Sequence, residues 1–593
     1  MGIPKFNKWV RYHTVGVMSS TIPTGVSSLA FDLNQILHRA AQETFYYGET
    51  DDPTRQLQQR LELKARIERK EVFIGALFFE AVGELMMDII RRVNPLELLI
   101  IAIDGVVSAA KLYQQRQRRF KHSFDPNTEV FDSSWLTPGT DIMMALDTYI
   151  PKWIDANKEF LPSTIIYSGC MSPGEGEHKI AEIYRTAQTT FSYGNHLIYG
   201  LDADLYVIAS LLYDTSRIKS GFFLYREEVR NGRRMVNVVN IDQFRKNTTL
   251  VPADFCFFMS LVGNDFLPAL SCFNDMESAM QILGKTQGLR VVDVQRASDT
   301  ILTDIRNKVT INYNALLSFF EVLTTMEEDL IEDQLDTVWN FPSPIVEQST
   351  IELGLCKFID YELYRRYWYG STLNPKNEGL NMSCEDRIDG MCREYIRGMI
   401  WIMEYYRAGM MSCNPMYVYR YSRAPLAMDL ARVLRYDLSH DLRYVDDLYD
   451  KVDYSVFTPL HQLISVLPRR SLSLIPQKYS QYESIALKQL PELYPDEFDT
   501  EIYAKQNDWQ GTAILPYVNL AKVVDVIGVP PQDFEWKPDF TRIQNGGSRV
   551  TYRQPKPTKE IVQESVASSQ LGKKVLEEKK RGKSAGVIIP LRR

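Results

Sequence analysis

The sequence predicts a protein of the α/β class, with a mainly parallel central sheet flanked by helices. Several short apolar runs have the length and composition of buried strands, and they end at Asp32, Asp104, Gly169 and Asp202. Helical patterns lie between these runs, notably over residues 57–93 and 177–187. Buried strands that alternate with helices are typical of a parallel sheet.

Each predicted strand ends in an acidic residue or a small turn. In chain order the strands read "SSLAFD" to Asp32, "LELLIIAID" to Asp104, "STIIYSG" to Gly169 and "HLIYGLDAD" through Asp202. In open sheets of this class, ligands bind beyond the carboxyl ends of the strands. The acids therefore fall at the edge where a functional site is expected.

The length and charge of the chain limit its organisation and its partners. At 593 residues it is too long for one compact domain, and its 45% hydrophobic and 24% charged residues are ordinary for a globular protein. The formal net charge of −7 argues against a surface that coats nucleic acid indiscriminately. It still permits a local basic site, because electrostatic attraction depends on where the charges lie.

Composition divides the chain into four expected segments. Residues 1–275 carry the α/β pattern and the acids, and residues 276–350 form a helical connecting region. Residues 351–545 are rich in aromatic side chains, which indicates a second packed unit rather than a tail. From residue 548 onward there are twelve Lys or Arg and four Glu, so residues 546–593 are predicted to be a basic flexible tail.

The sequence predicts neither a membrane anchor nor an oxidising compartment. The most apolar helix candidate, "VFIGALFFEAVGELMMDII", is interrupted by Glu80, Glu84 and Asp88, and the N-terminus lacks the apolar run of a signal peptide. The seven Cys are scattered without zinc-like spacing, which fits a reducing compartment. We therefore expect a cytoplasmic or nuclear protein.

Seven acids share one kind of setting, at a strand end or in a glycine-containing turn. They are Asp32, Asp104, Glu175, Glu177, Asp202, Asp204 and Asp265. Gathered in one cleft, they would repel one another and their pKa values would rise, and divalent cations would remove that cost. Two Mg²⁺ ions about 4 Å apart would suit in-line cleavage of a phosphodiester.

A single acid at a strand end has a simpler explanation. Most such residues cap the following helix or form a turn, and one D-x-D pair is weak evidence for a metal. The repetition within one α/β pattern favours a metal-dependent nuclease or a phosphatase-like site.

A basic stretch, "AAKLYQQRQRRF", begins five residues after Asp104. Lys111, Gln115, Arg118 and Arg119 are spaced so that they share one face of a helix. Three cations and an amide donor suit a phosphate monoester, since Arg side chains form paired hydrogen bonds to it. The alternative is a charged face in solvent, but the position beside a predicted metal ligand favours an anion site.

Motifs along most of the chain resemble the XRN family of 5′→3′ exoribonucleases. In the first half they are "MGIPKF" with Trp9, "FDLNQILH", "AIDGVVSAAKLYQQRQRRF", "LTPGT", "SPGEGEHKI", "GLDADLYVIASLL" and "LVGNDFLP". In the second half they are "WIMEYYRAG", "YVYRYSRAP", "LHQLISVLP" and "YPDEFDTEIYAKQNDWQGTAILPY". These motifs span residues 1–545 almost completely.

The resemblance implies a fold, a metal and a set of binding residues. It implies a PIN/FEN-like nuclease core with two Mg²⁺ ions on the seven acids, Mn²⁺ being able to replace Mg²⁺. It also implies a 5′-monophosphate pocket on Lys111, Gln115, Arg118 and Arg119, and a base-stacking role for His38. The second, largely helical region, residues 351–545, would wrap the core and narrow the cleft so that only single strands enter.

The implied activity is processive 5′→3′ degradation of single-stranded RNA that carries a 5′-monophosphate, such as decapped mRNA, to nucleoside monophosphates. A pocket for a monophosphate would exclude a cap or a triphosphate by size. The expected partners are that RNA and decapping factors, and we expect a monomer.

The chain departs from the family pattern at "SCNPMY", residues 412–417, where relatives carry a Trp-rich stretch. A stacking Trp from that stretch is absent, and we expect Tyr417 or Tyr419 to take its place. The chain is also short for the family, which would suit a member from a cytoplasmic virus or from a reduced eukaryote.

Two other functions fit parts of the sequence. A structure-specific DNA flap nuclease shares the acidic pattern, but it would carry a helix–hairpin–helix element that we do not find. A catalytically inactive RNA-binding scaffold would usually have lost acids, and all seven are present.

Overall fold

The computed structural model describes residues 6–552 with interruptions. The residues outside the description within that range are 49–51, 123, 125–126, 187–193, 217, 219–220, 231–232, 249–250, 274–275, 286–289, 294–308, 355, 374–383, 442–443, 445–447, 449–453, 506, 508–509, 538–539 and 545–548.

The strands fall into one large sheet and three small ones. In chain order they are β1 Met18–Ser19, β2 Val26–Asp32, β3 Leu98–Ala102, β4 Thr164–Ser168, β5 Asn195–Tyr199, β6 Phe222–Arg230, β7 Arg233–Asn240, β8 Val292–Asp293, β9 Thr310–Ile311, β10 Thr350–Leu353, β11 Cys356–Ile359, β12 Asp499–Glu501, β13 Thr512–Ile514, β14 Phe540–Gln544 and β15 Arg549–Tyr552. The small sheets are the antiparallel pairs β8–β9, β10–β11 and β12–β13.

The helices of the first half surround the large sheet. They are α1 Phe6–His13, α2 Leu33–Phe45, α3 Pro53–Glu68, α4 Ile74–Val93, α5 Ala109–Lys121, α6 Asp141–Asn157, α7 Gly176–Thr186, α8 Asp204–Thr215, α9 Ile241–Asn247, α10 Pro252–Met259 and α11 Met276–Lys285. The later helices are α12 Tyr313–Glu332, α13 Pro344–Ser349, α14 Tyr361–Thr372, α15 Cys384–Ala408, α16 Ala427–Ser439, α17 Pro459–Val466, α18 Gln481–Gln489 and α19 Leu520–Ile527.

The large sheet has the strand order β1-β7-β6-β5-β2-β3-β4-β14-β15. Its five central strands, β6 to β4 in that order, pair in parallel, and antiparallel strands extend both edges. This confirms the predicted α/β class with a mainly parallel sheet. Strands β2, β3 and β4 are buried along their whole length, as expected for strands that helices cover on both faces.

The direction in which the sheet grows reverses between β2 and β5. From β2 the chain adds β3 and β4 on one side, and it then adds β5 and β6 on the other. A reversal of this kind opens a crevice at the carboxyl ends of the two strands, because their following connections leave in opposite directions. The crevice lies where β2 ends at Asp32 and where Asp202 follows β5.

The second half of the chain packs closely on this core. Helix α15 is 25 residues long, and from Tyr395 to Ala408 nearly every side chain is buried, against α8 and α10 among others. Helix α17 packs against α5. Strand β14 pairs antiparallel with β4, so the end of the described chain returns to the sheet that the first half began.

The predicted segment boundaries can be compared with these elements. Residues 276–350 contain α11, α12 and α13, and strand β15 lies within the segment predicted as a basic tail. Residues 553–593, the rest of that segment, lie outside the described residues. Among the helices of the described residues, none is long and apolar enough to cross a membrane.

Candidate active site

The acids predicted from the sequence converge at the crevice between β2 and β5. Carboxylate oxygens within 4.8 Å of one another occur in the groups Asp32–Asp104–Glu177 and Glu177–Asp202–Asp204. A third group joins Glu175 and Glu177 to the imidazole of His178. Glu177 belongs to all three groups and is therefore the centre of the cluster.

Asp265 reaches the cluster through a lysine. The ammonium group of Lys111 lies 2.9 Å from Asp265 Oδ2, and it also forms an ion pair with Glu175 Oε2. All seven predicted acids are thus held in one site. The acids come from the ends of β2, β3 and β5, from the first turns of α7 and α8, and from the loop after α10.

The capping explanation of the strand-end acids can be tested directly on Asp32. This residue stands at the N-cap position of α2, but its side chain makes no capping hydrogen bond. In the turn that carries Asp265, the side chain of Asn264 accepts the turn-forming hydrogen bonds, from the amides of Phe266 and Leu267. Capping therefore does not explain Asp32, and turn formation does not explain Asp265.

Glycine at position 176 lets the acids approach one another. A Cβ added at Gly176 would lie 2.7 Å from Asp32 Oδ1, which real structures do not tolerate. The Gly176 amide donates a hydrogen bond of 2.7 Å to Asp104 Oδ1. The "GEGE" turn thus places Glu175 and Glu177 on either side of a backbone contact with the other acids.

Burial and mutual repulsion disturb the acids strongly. Burial raises the pKa values of Asp32 and Glu177 well above normal, and neighbouring carboxylates raise them further. Burial and the charge of Asp202 raise the pKa of Asp204 to about 7. Burial would also raise the pKa of Asp265, but Lys111 and Arg118 outweigh it and lower that pKa to about 2.

The donor set fits hard divalent cations. Asp32 Oδ1 and Asp204 Oδ1 are buried, and no hydrogen-bond partner for either is found among the described residues. A buried carboxylate oxygen without a partner is costly, and Mg²⁺ prefers oxygen ligands of this kind. The arrangement is therefore compatible with divalent metal binding.

The basic face of α5 begins inside the acidic cluster and extends away from it. Lys111 is paired with acids, and Gln115 is buried with its Oε1 atom unpaired among the described residues. Arg119 donates to Thr137 Oγ1 from Nε and Nη2, at 3.0 and 2.8 Å. Arg118 is exposed, and its contact with Gln114 is long at 3.4 Å.

His38 lies on α2 beside the two arginines. Loss of water around the ring, together with the charges of Arg118 and Arg119, lowers the pKa of His38 to about 4. The residue as a whole remains exposed to solvent. At neutral pH the ring is thus uncharged, which suits stacking on a base.

Arg116, in the same basic stretch, has a different role. It is completely buried and donates to the backbone carbonyls of Ser465 and Leu493 in the second region. Its guanidinium also lies 4.4 Å from the ring centroid of Phe120. Arg116 therefore joins α5 to the second region and is not available to an anion.

The expected stacking role of Tyr417 or Tyr419 is wrong. Both rings are buried, and their hydroxyl groups donate to the backbone carbonyls of Glu394 and Arg423 respectively. Tyr417 also stacks on Trp401 at 5.5 Å. Because both residues are committed to the interior of the second region, neither is placed to receive an RNA base.

Several residues of the site were not predicted from the sequence. The Tyr405 hydroxyl donates to Glu175 Oε1, and the ring lies 4.2 Å from the ring of His178. Lys179 braces the ends of two strands by donating to the carbonyls of Ile103 and Gly169, at 2.6 and 2.9 Å. The motifs "EYY" and "EHK" contain these residues, but their spacing gives no indication of contacts across the chain.

Two models of one protein family match most of the chain. The XRN 5′-3′ exonuclease N-terminus matches residues 1–128 and 121–219, and the Xrn1 helical domain matches residues 363–530. The chain belongs to the XRN family. The resemblance seen in the motifs is thereby confirmed, and the second match covers the region that the aromatic composition had set apart.

Curated members of the XRN family match over much of this chain. The 5′-3′ exoribonuclease 1 of Homo sapiens is 23% identical over 625 residues, which cover 89% of this chain and 34% of the human protein. The Saccharomyces cerevisiae enzyme of the same name is 24% identical, covering 89% and 43%. The 5′-3′ exoribonuclease 2 of Arabidopsis thaliana is 23% identical, covering 75% and 59%. The chain thus spans about a third to three fifths of the length of these relatives.

Among solved structures, the catalytic core of Rad2 in complex with a DNA substrate matches with a TM-score of 0.31 and 12% identity. The match covers 67% of this chain and 95% of that structure. At this score the likeness supports no inference.

Proposed function

We propose that this XRN-family protein is a processive 5′→3′ exoribonuclease that uses two Mg²⁺ ions and degrades single-stranded RNA with a 5′-monophosphate to nucleoside monophosphates. The observation that carries the proposal is the contact between α5 and the acids. Lys111 lies in the acidic cluster, and Arg118 and Arg119 follow it about 10 Å along the same helix. A terminal phosphate on the arginines would leave the next phosphodiester near the acids.

Each group of residues in the site would have a separate role. The 5′-phosphate would be bound by Lys111, Gln115, Arg118 and Arg119. Thr137 would hold Arg119 in place. The neutral ring of His38 would stack on a base near the 5′ end. The ions held by the seven carboxylates would supply activation of the attacking water and stabilisation of the leaving oxygen. Repeated cleavage follows because each product leaves a new 5′-phosphate.

The same proposal extends to the form of the substrate, the oligomeric state and the compartment of the enzyme. A strand that must pass between the core and the wrapping second region would enter as a single strand, and stacking tolerates any sequence. The enzyme would act as a monomer in the cytoplasm on decapped mRNA supplied by decapping factors. Nuclear RNA fragments are an alternative source of the same 5′-phosphate end.

The experiment that tests the function compares RNAs that differ only in the chemical group at the 5′ end. One RNA sequence is prepared with a 5′-monophosphate, a 5′-hydroxyl, a 5′-triphosphate or a cap, and each is digested with Mg²⁺, with Mn²⁺ or with a chelator. We expect rapid release of nucleoside monophosphates from the monophosphate form only, and only with metal. Equal rates on all four ends would contradict the phosphate pocket.

The same assay separates the other two functions. A flap DNA substrate that is cut at its branch faster than the RNA is shortened would instead indicate a flap nuclease. Tight binding of RNA without any metal-dependent product would instead indicate a scaffold. The complete set of seven acids favours an active enzyme over a scaffold.

A further inference from the structure

The second region contributes an aromatic wall to the acidic site. Helix α15 presents Tyr405 and Tyr406 to Glu175 and His178, and Trp401 packs against Tyr405. Tyr405 and Tyr406 are both buried. These tyrosines belong to the second region, whereas the acids belong to the first. A separation of 230 residues lies between Tyr405 and the carboxylate to which it donates.

Glu175 is held by two different groups. Its Oε1 atom accepts a hydrogen bond from the Tyr405 hydroxyl, and its Oε2 atom is paired with the Lys111 ammonium. The lysine is a charged group on a flexible stem, and it has a second carboxylate partner in Asp265. The tyrosine is neutral, so it can stay on Glu175 whether a cation is bound or not.

The ring of Tyr405 is fixed on three sides. It stacks on Trp401 with ring centroids 4.8 Å apart and an interplanar angle of 16°. The ring of Phe266, next to Asp265, meets it edge-on at 5.3 Å, and that of His178 lies at 4.2 Å. A hydroxyl on so constrained a ring has one position, and it can therefore impose one orientation on the carboxylate.

We propose that Tyr405 is a positioning residue, which orients Glu175 for metal binding and makes the metal centre depend on the second region. The proposal rests on the metal-dependent function proposed above. Its physical basis is that a freely rotating glutamate loses rotamer entropy when it binds an ion, whereas a glutamate already oriented has lost it during folding. Partners that orient metal ligands typically contribute 10–100-fold to metal affinity or activity.

The test removes only the hydroxyl. The full-length Tyr405→Phe variant keeps the ring and its packing, and Mn²⁺ binding is measured from the electron paramagnetic resonance of the free ion. We expect Mn²⁺ affinity to fall by roughly 10–100-fold. Saturating Mn²⁺ should restore most of kcat, while the KM for RNA and the binding of 5′-phosphate RNA without metal should stay within twofold.

A matched control is the Tyr494→Phe variant. The Tyr494 hydroxyl is also buried in the second region, but it donates to the backbone carbonyl of Ile464. It should lower stability by a similar amount and leave Mn²⁺ affinity unchanged. A Trp401→Phe variant retains the Tyr405 hydroxyl but loosens the stacking on the Tyr405 ring. It should show an intermediate loss of Mn²⁺ affinity.

The outcomes separate this proposal from the proposed function. If the wild type binds Mn²⁺ and the folded Tyr405→Phe variant binds it equally well, the positioning role is overturned and the nuclease function stands. If Tyr405→Phe does not fold, Trp401→Phe decides on the same criterion. If the wild type itself binds no Mn²⁺, the metal-dependent function fails, and the positioning role with it.

Discussion

The Asp204 carboxylate shows what burial does to one residue of this site. It is buried beside Asp202, and its pKa is raised to about 7. One of its oxygens has no partner among the described residues. Without a cation the charged form of Asp204 destabilises the fold, because it adds a negative charge where others already lie.

Replacing Asp204 with Asn should separate activity from stability. We expect RNA degradation to fall by at least about 100-fold, since a proposed metal ligand is lost and partners that only orient such ligands already contribute roughly 10–100-fold. The metal-free melting temperature should not fall, because the substitution removes a repulsive charge. Single-turnover rates and thermal unfolding, compared with the exposed control Asp88→Asn, check both parts; a variant with unchanged turnover would contradict the metal assignment.

Substitution of Arg118 and of Arg116, both on α5, should have opposite effects on the preference for 5′-phosphate ends and on stability. Arg118→Ala is expected to reduce the preference for 5′-phosphate over 5′-hydroxyl RNA by roughly 10–100-fold, the usual range for a hydrogen bond to a charged group. Its stability should change little, because Arg118 is exposed. Competition between the two RNAs measures the preference.

Arg116→Ala is the control for that experiment. It would leave the carbonyls of Ser465 and Leu493 without their donor and create a cavity, so we expect a loss of stability of about 2–4 kcal/mol. The preference for 5′-phosphate should persist. If Arg116→Ala and not Arg118→Ala removed it, the two roles would have to be exchanged.

At the level of an element, helix α17 packs against the first region and has a buried, neutral histidine in its first turn. His461 is fully buried on α17, its Nδ1 atom accepts from the amide of Thr458, and the helix packs on α5 and α19. Burial lowers the pKa of His461 to about 4. The protonated ring could no longer accept this hydrogen bond, so the helix start depends on an uncharged side chain.

His461→Gln should remove one source of acid sensitivity. His461 has a folded pKa below its unfolded value of about 6.5, so its contribution to stability is present above pH 6.5 and is lost as the pH falls toward 4. The wild type should therefore lose up to about 3 kcal/mol relative to the variant over this range. Gln at this position can still form the capping box.

Urea unfolding of both proteins at pH 7, 5.5 and 4 measures this difference. Since the comparison is between two proteins with the same acids, the titration of the acidic site cancels. A difference in unfolding free energy that stays constant with pH would show that His461 does not titrate in this range.

At the scale of the whole molecule, the end of the described chain completes the sheet. Strand β14 covers the edge of β4 through residues 541–544, so the two halves of the chain share one sheet. An uncovered β4 would present unpaired backbone groups to other chains. The second region is thus tied to the core at both α5 and β4.

Chains ending at residue 537 and at residue 552 should differ in stability. The shorter chain loses β14 and β15, and about four sheet hydrogen bonds to β4 correspond to roughly 4 kcal/mol. We expect a lower midpoint in denaturant and a greater tendency to aggregate for the shorter chain. Equal midpoints and equal light scattering would show that the pairing of β14 with β4 is unimportant for stability.

The sequence by itself determined the α/β class, the family and the identity of the acids and of the basic helix. These properties are local: a buried strand is a run of apolar residues, and the acids follow the strands directly. The repeated strand-end acids were sufficient to predict a cluster, because parallel strands bring their carboxyl ends to one edge.

Only the tertiary structure decided which partner each side chain has. It placed Lys111 among the acids, Arg116 beneath the second region, Tyr405 on Glu175, and Tyr417 and Tyr419 in the interior. The contacts of Lys111, Arg116 and Tyr405 join residues 64 to 377 positions apart. A lysine, arginine or tyrosine at a given spacing can either pack in the interior or serve in the site, so the sequence does not distinguish the two. Burial of the surfaces between the two regions determines which side chains meet.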